Sequence, residues 1–126
     1  MAQTVRPRPA LEEITEGLTA TIASGASLSG AISLSYLTVV SILIPSTFDG
    51  SAITFQGSVD GTNYFNLYDE AGTEVNFPAS ASRLIKVTNV NYFFGLEYLK
   101  IRAGTAASAT NQSTTDTVLT VFVKLV

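Results

Sequence analysis

The sequence predicts an all-β fold, an antiparallel β-sandwich or jelly roll of about eight strands. Short runs of alternating apolar and polar residues recur along the chain, with clusters of Gly, Ser, Asn and Asp between them. This pattern is typical of a sandwich or a barrel. Asp60-Gly61 separates two such runs, and this dipeptide is the strongest short signal for a β-hairpin. The alternation of buried and hydroxyl-bearing positions favours two sheets over a barrel.

The N-terminal residues are predicted to lie outside the core. We expect residues 1–16 to form an arm and residues 17–126 to form the sandwich domain. Pro7 and Pro9 remove backbone donors and favour extended geometry. The end of the arm has apolar residues at helical spacing, which would allow a short helix: Leu11, Ile14 and Leu18.

Three strands are predicted in the first part of the domain, at 18–22, 32–36 and 37–44. In the first two, apolar residues alternate with Thr or Ser, so one face of each strand should be exposed to solvent. The third is apolar on both faces apart from two hydroxyl-bearing residues, which suits a central strand covered on each side. Pro45 would end it.

The hairpin of residues 52–69 is the most strongly determined stretch. Its second strand alternates, with Phe65 and Leu67 on one face and Tyr64 and Tyr68 on the other. Because Phe65 and Leu67 are expected to face the core, the tyrosines should pack against a second layer or a neighbouring subunit.

The remaining strands are predicted at 74–77, 83–88, 97–102 and 117–126. Leu99 and Ile101 should face inward, and Arg102 outward. Between the strands lie an aromatic loop at 89–96 and a long polar loop at 103–115.

Charged residues are few and unevenly placed. They make up 13% of the chain, about half of the ~25% that is usual. No charged side chain occurs in residues 17–48 or in residues 103–115. One interpretation is that other subunits cover these neutral surfaces; the alternative is that Ser and Thr hydrate an exposed sheet face.

The composition argues against several functions. The chain has no His and no Cys, so it lacks the usual base of a nucleophilic triad and the ligands of most zinc and iron sites. A net charge of −3 gives no basic field for nucleic acid. The longest apolar run, 37–44, is far short of the ~20 residues that span a bilayer, and no signal peptide is recognisable. We therefore expect neither an enzyme nor a bound cofactor or metal.

The acidic residues could in principle supply a glycosidase pair or calcium ligands. Asp60 is accounted for by its turn, and Asp69-Glu70 also borders a turn. Together with Glu74 they lack the spacing of a calcium loop. We expect all of them to be solvated turn carboxylates.

The candidate partner-interface residues are four residues of the arm and five aromatic residues of the domain. They are Arg6, Pro7, Arg8, Pro9, Tyr64, Tyr68, Tyr92, Phe93 and Phe94. For the run 92–94 the alternative is that it closes one end of the core.

Two resemblances arise from these segments. SVDGTNYFNLYD and the later EYLKIRAGT are similar to the discoidin-like, galactose-binding-type jelly roll, which carries a Ser-x-Asp-Gly-x-x-aromatic hairpin. The matching positions are Ser58, Asp60, Gly61, Tyr64, Tyr98, Lys100 and Ile101, while Glu97 stands where that family has arginine. The resemblance implies architecture only.

The second resemblance covers most of the chain. IASGASLSGAISL, ITFQGSVDGTNYFNLYDEAGTEV, ASRLIKV and YLKIRAGTAASATNQ resemble, in this order, a set of small proteins of tailed bacteriophages and prophages. It implies a virion structural role such as capsid decoration, with location on the capsid surface after synthesis in the host cytoplasm. The implied partners are the major capsid protein and further copies of this chain, by expectation in a homotrimer.

Two other functions stay open. A carbohydrate-binding module of a phage fibre would show a groove lined by exposed aromatics with polar neighbours, supplied in part by residues 89–96. A tail or baseplate adaptor is the third option.

Overall fold

The computed structural model describes residues 15–113 and 115–125, which form a sandwich of two antiparallel sheets. In spatial order, the first sheet contains β1 (Thr15–Ile22), β9 (Thr117–Leu125), β3 (Leu37–Ile44) and β7 (Arg83–Lys86). The second contains β2 (Ile32–Ser33), β8 (Tyr98–Ala103), β4 (Ala52–Ser58) and β5 (Phe65–Asn66), with β6 (Phe77–Pro78) also paired to β4. A single 3₁₀ turn, η1 (Val90–Tyr92), is the only helical element of this part of the chain. The predicted fold class is confirmed.

The described residues contain no helix long and apolar enough to cross a membrane.

Strand β1 follows the predicted alternation. Ala20 and Ile22 are buried while Thr19 and Thr21 are less so, because strand residues point alternately to the two faces. The strand begins at Thr15, so its first two residues belong to the sheet rather than to the predicted arm. Leu18 lies in the strand and not in a helical turn. The rest of the predicted arm is outside the described residues.

The second predicted strand is shorter than expected. Only Ile32 and Ser33 pair with β8, and Ser35 and Tyr36 form a tight turn with positive φ angles of 46° and 69°. The Leu37 amide donates to the Leu34 carbonyl at 2.9 Å and closes this turn. The chain changes here from the second sheet to the first, which a continuous strand could not do. Tyr36 is therefore 82% exposed instead of facing the core.

Strand β3 is central in its sheet but covered on one face only. Val39, Ile42 and Ile44 are buried between the sheets. Leu43 points to the other side and is 42% exposed, so the prediction of cover on both faces is wrong. No second layer lies over that side within the described residues.

The predicted hairpin is confirmed, with a longer loop than a two-residue turn. β4 pairs with β5 through Gln56–Asn66 and Gly57–Phe65. The loop between them needs glycine at position 61, where φ is +80° and a Cβ atom would lie 2.8 Å from the Tyr98 ring. The Asp60 carboxylate organises the loop by accepting hydrogen bonds from the Thr62 and Asn63 amides at 2.8 and 2.9 Å.

These bonds make the hairpin loop sensitive to acid. The backbone amide of Asn63, followed by that of Thr62, holds the pKa of Asp60 well below its ordinary value of about 3.9. A lowered folded pKa contributes stability above the unfolded pKa, and that contribution is lost as pH falls below about 4. Asp60→Asn should lower the urea midpoint at pH 7, and the gap from the wild type should narrow at pH 3. Glu70→Gln, which removes an exposed carboxylate from another turn, is the control. A gap that is the same at both pH values would contradict this account.

The core between the sheets is aromatic at one end. Phe55 packs edge-on against Phe93 and Phe77, with ring centroids 5.0 and 5.2 Å away. Edge-to-face geometry of this kind adds ~0.5–1.5 kcal/mol per pair beyond the burial of area. This cluster fixes the segment 89–96 against the sandwich.

Candidate binding surfaces

Four of the predicted interface residues cannot be placed: Arg6, Pro7, Arg8 and Pro9 lie outside the described residues. The other five are aromatic and fall in four different environments. Two of them, Tyr68 and Tyr92, come together at one cleft.

Tyr64 adjoins the start of β5, and it is engaged within its own chain. The Lys100 ammonium nitrogen lies 4.3 Å from the centre of the Tyr64 ring. This cation–π contact leaves Tyr64 half-buried.

Phe93 is fully buried at 0% exposure, so its side chain cannot contact a partner and this part of the interface prediction is wrong. It closes one end of the core, which was the alternative for this run. Its neighbours differ: Tyr92 is half-buried and Phe94 is 58% exposed. The η1 turn gives the three rings different degrees of burial, although those of Tyr92 and Phe93 still touch edge to face, and spacing in the sequence alone does not reveal this.

The tyrosine cleft lies between the turn that follows β5 and the segment around η1. It has a volume of about 310 Å³. The lining side chains that carry rings or polar groups are Tyr68, Asp69, Glu70, Asn89, Asn91 and Tyr92. Two aromatic rings, two carboxylates and two amides therefore face one solvent-open space.

Several groups of the tyrosine cleft are held in place before any ligand arrives. The Tyr92 ring packs against Phe77 and Phe93 at centroid distances of 6.3 and 6.2 Å. Asp69 Oδ1 accepts from the Ala71 and Thr73 amides, each at 2.9 Å. Because both bonds use Oδ1, the second carboxylate oxygen keeps its lone pairs for another donor.

Asn89 is fixed in a similar way. Its Oδ1 accepts from the Asn91 amide at 3.2 Å, at the start of η1. This leaves the Nδ2 hydrogens of the side chain as donors. The cleft thus offers both donors and acceptors beside its rings.

An apolar groove of about 310 Å³ lies beside the hairpin loop. Its apolar side chains are Val59, Phe65, Leu67 and Leu96. Phe65 is 71% exposed because β5 lies at the edge of its sheet, so the expectation that it faces the core is wrong. Val59 is also 71% exposed. Sequence reasoning missed this groove because it placed Phe65 in the core.

The outward side of the first sheet forms a third surface, which we call the neutral face. It consists of Thr19, Thr21, Ser41, Leu43, Leu84, Val118, Thr120 and Phe122. Three of these are large apolar side chains that are 42–59% exposed: Leu43, Leu84 and Val118. Leu43 and Leu84 are directly paired across β3 and β7.

Charge is confined to one end of the same sheet side. Lys86 is paired with Ser41, and Lys124 with Thr38, so both cations lie beyond the Leu43–Leu84 pair. The residues of the neutral face themselves carry no charge, and Lys86 borders them beside Ser41. A surface of hydroxyls and exposed leucines is unusual on a monomer, which normally carries mixed charges.

Buried polar groups have structural roles. Arg102 is outward-facing as predicted, but it is only 7% exposed because the chain after β5 folds over it. Its guanidinium donates twice to Asn66 Oδ1 at 2.9 Å and lies 3.7 Å from Glu74 Oε2. Glu74 also accepts from the Ala106 amide at 3.0 Å, so this carboxylate joins two loops.

In the part of the chain that the structure describes, no group of three or more acidic side chains could hold a metal ion. Asp49 instead ties two loops together. The Ser113 amide and hydroxyl donate to its carboxylate at 2.9 and 2.8 Å, and the amide bond foremost lowers the pKa of Asp49.

No family model matches the chain. No curated protein and no solved structure is significantly similar to it either.

Proposed function

We propose that this protein is a structural protein of a tailed-phage virion, and specifically a capsid decoration (cement) protein that binds and stabilises the shell. The observation that carries the proposal is the neutral face. Its leucines and valine remain exposed in the single chain, and its hydroxyls can be covered at lower desolvation cost than charges. Contact with further copies would bury these side chains.

A homotrimer would also give a role to a second exposed surface, the apolar groove. In a closed ring with threefold symmetry, each copy must offer two different patches, because one patch contacts the next copy and the other contacts the previous copy. The chain has two apolar surfaces of this kind, the neutral face and the apolar groove at Val59 and Phe65. We propose that they meet between neighbouring copies.

Binding of such a trimer to the shell would then depend on several equivalent contacts made at once. A rigid trimer presents three equivalent attachment points, so weak individual contacts to the major capsid protein add by avidity. The part of the predicted arm that precedes β1, residues 1–14, is the segment that we propose extends onto the shell or a neighbouring subunit. No catalytic step is part of this function.

The test adds charge to the neutral face. Leu43→Lys with Leu84→Lys places two ammonium groups where we propose that a neighbouring copy packs, and a buried unpaired charge costs several kcal/mol. The wild type should sediment at about three times its 13.3 kDa monomer mass. The variant should sediment as a folded monomer. It should also bind shells of the major capsid protein from the same phage at least 100-fold more weakly, an estimate on the order of 3 kcal/mol.

Ala107→Lys is the matched control, because it adds a charge at an exposed loop position outside both the neutral face and the apolar groove. It should leave both the sedimentation and the shell binding unchanged. A wild-type monomer at high concentration, or a trimer that survives both leucine substitutions, would remove the basis of the proposal.

A further inference from the structure

The tyrosine cleft has the composition of a ligand site rather than of an assembly surface. Aromatic rings, carboxylates and amides converge there, whereas the proposed assembly surfaces on this chain are apolar or hydroxyl-bearing. Its volume of about 310 Å³ is at the lower end of the ~300–1,000 Å³ of small-molecule sites. This is the scale of a mono- or disaccharide.

The lining groups match one chemical class. A sugar ring presents C–H faces that pack on an aromatic ring and hydroxyls that both donate and accept hydrogen bonds. Tyr68 and Tyr92 supply the rings, Asp69 supplies a free acceptor oxygen, and Asn89 supplies amide donors. Neighbouring hydroxyls of a sugar could engage the carboxylate and the amide together.

The charges that line the tyrosine cleft narrow the class of ligand further. Asp69 and Glu70 both line the cleft, and no Lys or Arg is among the described residues that line it. Two carboxylates without a cation disfavour an anionic sugar such as a sialic or uronic acid, because like charges repel. The two carboxylates would also suit a cationic ligand that lies over a tyrosine ring. The two asparagines, however, would add little to the recognition of a cation.

We propose that the tyrosine cleft binds a neutral carbohydrate, with Tyr92 as the fixed stacking platform and Asp69 and Asn89 as the groups that select hydroxyl orientation. Tyr68, which is 51% exposed, closes over the sugar from the opposite turn. This proposal is independent of the capsid role, since the cleft is made by one chain and does not use the neutral face.

The experiment is saturation-transfer NMR on the full chain with methyl glycosides of glucose, galactose, mannose and N-acetylglucosamine. N-acetylneuraminic acid and choline serve as anionic and cationic comparators. We expect at least one neutral glycoside to bind and both comparators to fail. Titration of that glycoside should show an affinity roughly tenfold lower or worse for Tyr68→Ala, because one stacking face is lost. Asn89→Ala should change the preference among the glycosides.

Tyr36→Ala is the matched control, since it removes an even more exposed tyrosine from a different turn. It should bind the glycoside as the wild type does. Choline binding without glycoside binding would overturn the proposal in favour of a cation site. No binding of any neutral glycoside, or equal binding by wild type and Tyr68→Ala, would overturn it outright. None of these outcomes depends on whether the protein forms a trimer.

Discussion

Gly104→Ala should destabilise the domain by about 3–5 kcal/mol, which is large for a single methyl group. The residue has φ of +90°, and a Cβ atom there would lie 2.5 Å from the Ser108 carbonyl oxygen and 2.8 Å from the Thr110 nitrogen. Both are backbone atoms, and they are anchored by hydrogen bonds such as Thr110 amide to Ala103 carbonyl at 2.9 Å. The turn after β8 would have to open to admit the methyl group. Thermal unfolding should shift down by ~10 °C or more.

Gly72→Ala is the control that measures the cost of placing Ala in a left-handed backbone conformation without a steric clash. Gly72 has almost the same φ, +87°, but nothing lies within 4 Å of the position that its new methyl group would take. Its substitution should cost only the left-handed conformation, on the order of 1 kcal/mol. Equal losses for the two variants would show that the contacts around Gly104 do not matter.

Gln112→Glu should destabilise the protein by about 3–5 kcal/mol at neutral pH, although the two side chains have nearly the same shape. Gln112 is fully buried, and its Oε1 accepts from the Asp49 amide and the Thr117 hydroxyl, both at 2.8 Å. Its Nε2 donates to the Asp49 carbonyl at 2.9 Å. A carboxylate has no hydrogen for that carbonyl, so the ionised form would be buried against an acceptor.

The pH dependence gives this prediction a distinct signature. Burial would raise the folded pKa of the new carboxyl above its unfolded value of about 4.3. The destabilisation should therefore be small at pH 4, where the protonated acid can still donate, and should grow as pH rises toward 7. Urea midpoints of variant and wild type at the two pH values measure it. Gln56→Glu, at a partly exposed position of β4, should show no such trend; a flat difference for Gln112→Glu would contradict the assigned hydrogen bonds.

Alternation in the sequence predicted which side of a strand each residue faces. Ala20 and Ile22 point inward as expected, and so do Leu99 and Ile101. The hairpin around Gly61 was also predictable, because few residues besides glycine tolerate its positive φ. These features depend on neighbours in the chain, so the chain reveals them.

Whether a distant part of the chain covers a given side chain was not predictable in the same way. Phe65 is apolar yet exposed, whereas Arg102 is charged yet buried. In each case the outcome depends on a distant segment, namely the missing cover beside the edge strand β5 and the loop that carries Glu74. The polar loop at 103–115 likewise contains the fully buried Gln112, because Asp49 supplies its partners.

The tyrosine cleft illustrates the same limit. Tyr68 and Tyr92 could each be singled out from composition, but they are far apart in the chain, and no periodicity brings them together. Their meeting depends on the packing of the η1 segment on Phe77. The sequence predicted the tyrosine cleft only in so far as residues 89–96 were expected to help form a groove lined by aromatic residues.

The position of β9 in the first sheet has a consequence for how the protein is made. β1 pairs only with β9 among the described strands, and β9 also lies between β1 and β3. A ribosome releases β1 and β3 long before it reaches Thr117. The first sheet therefore cannot be completed until β9 is made, and until then β1 and one edge of β3 are unpaired strand edges that could pair wrongly.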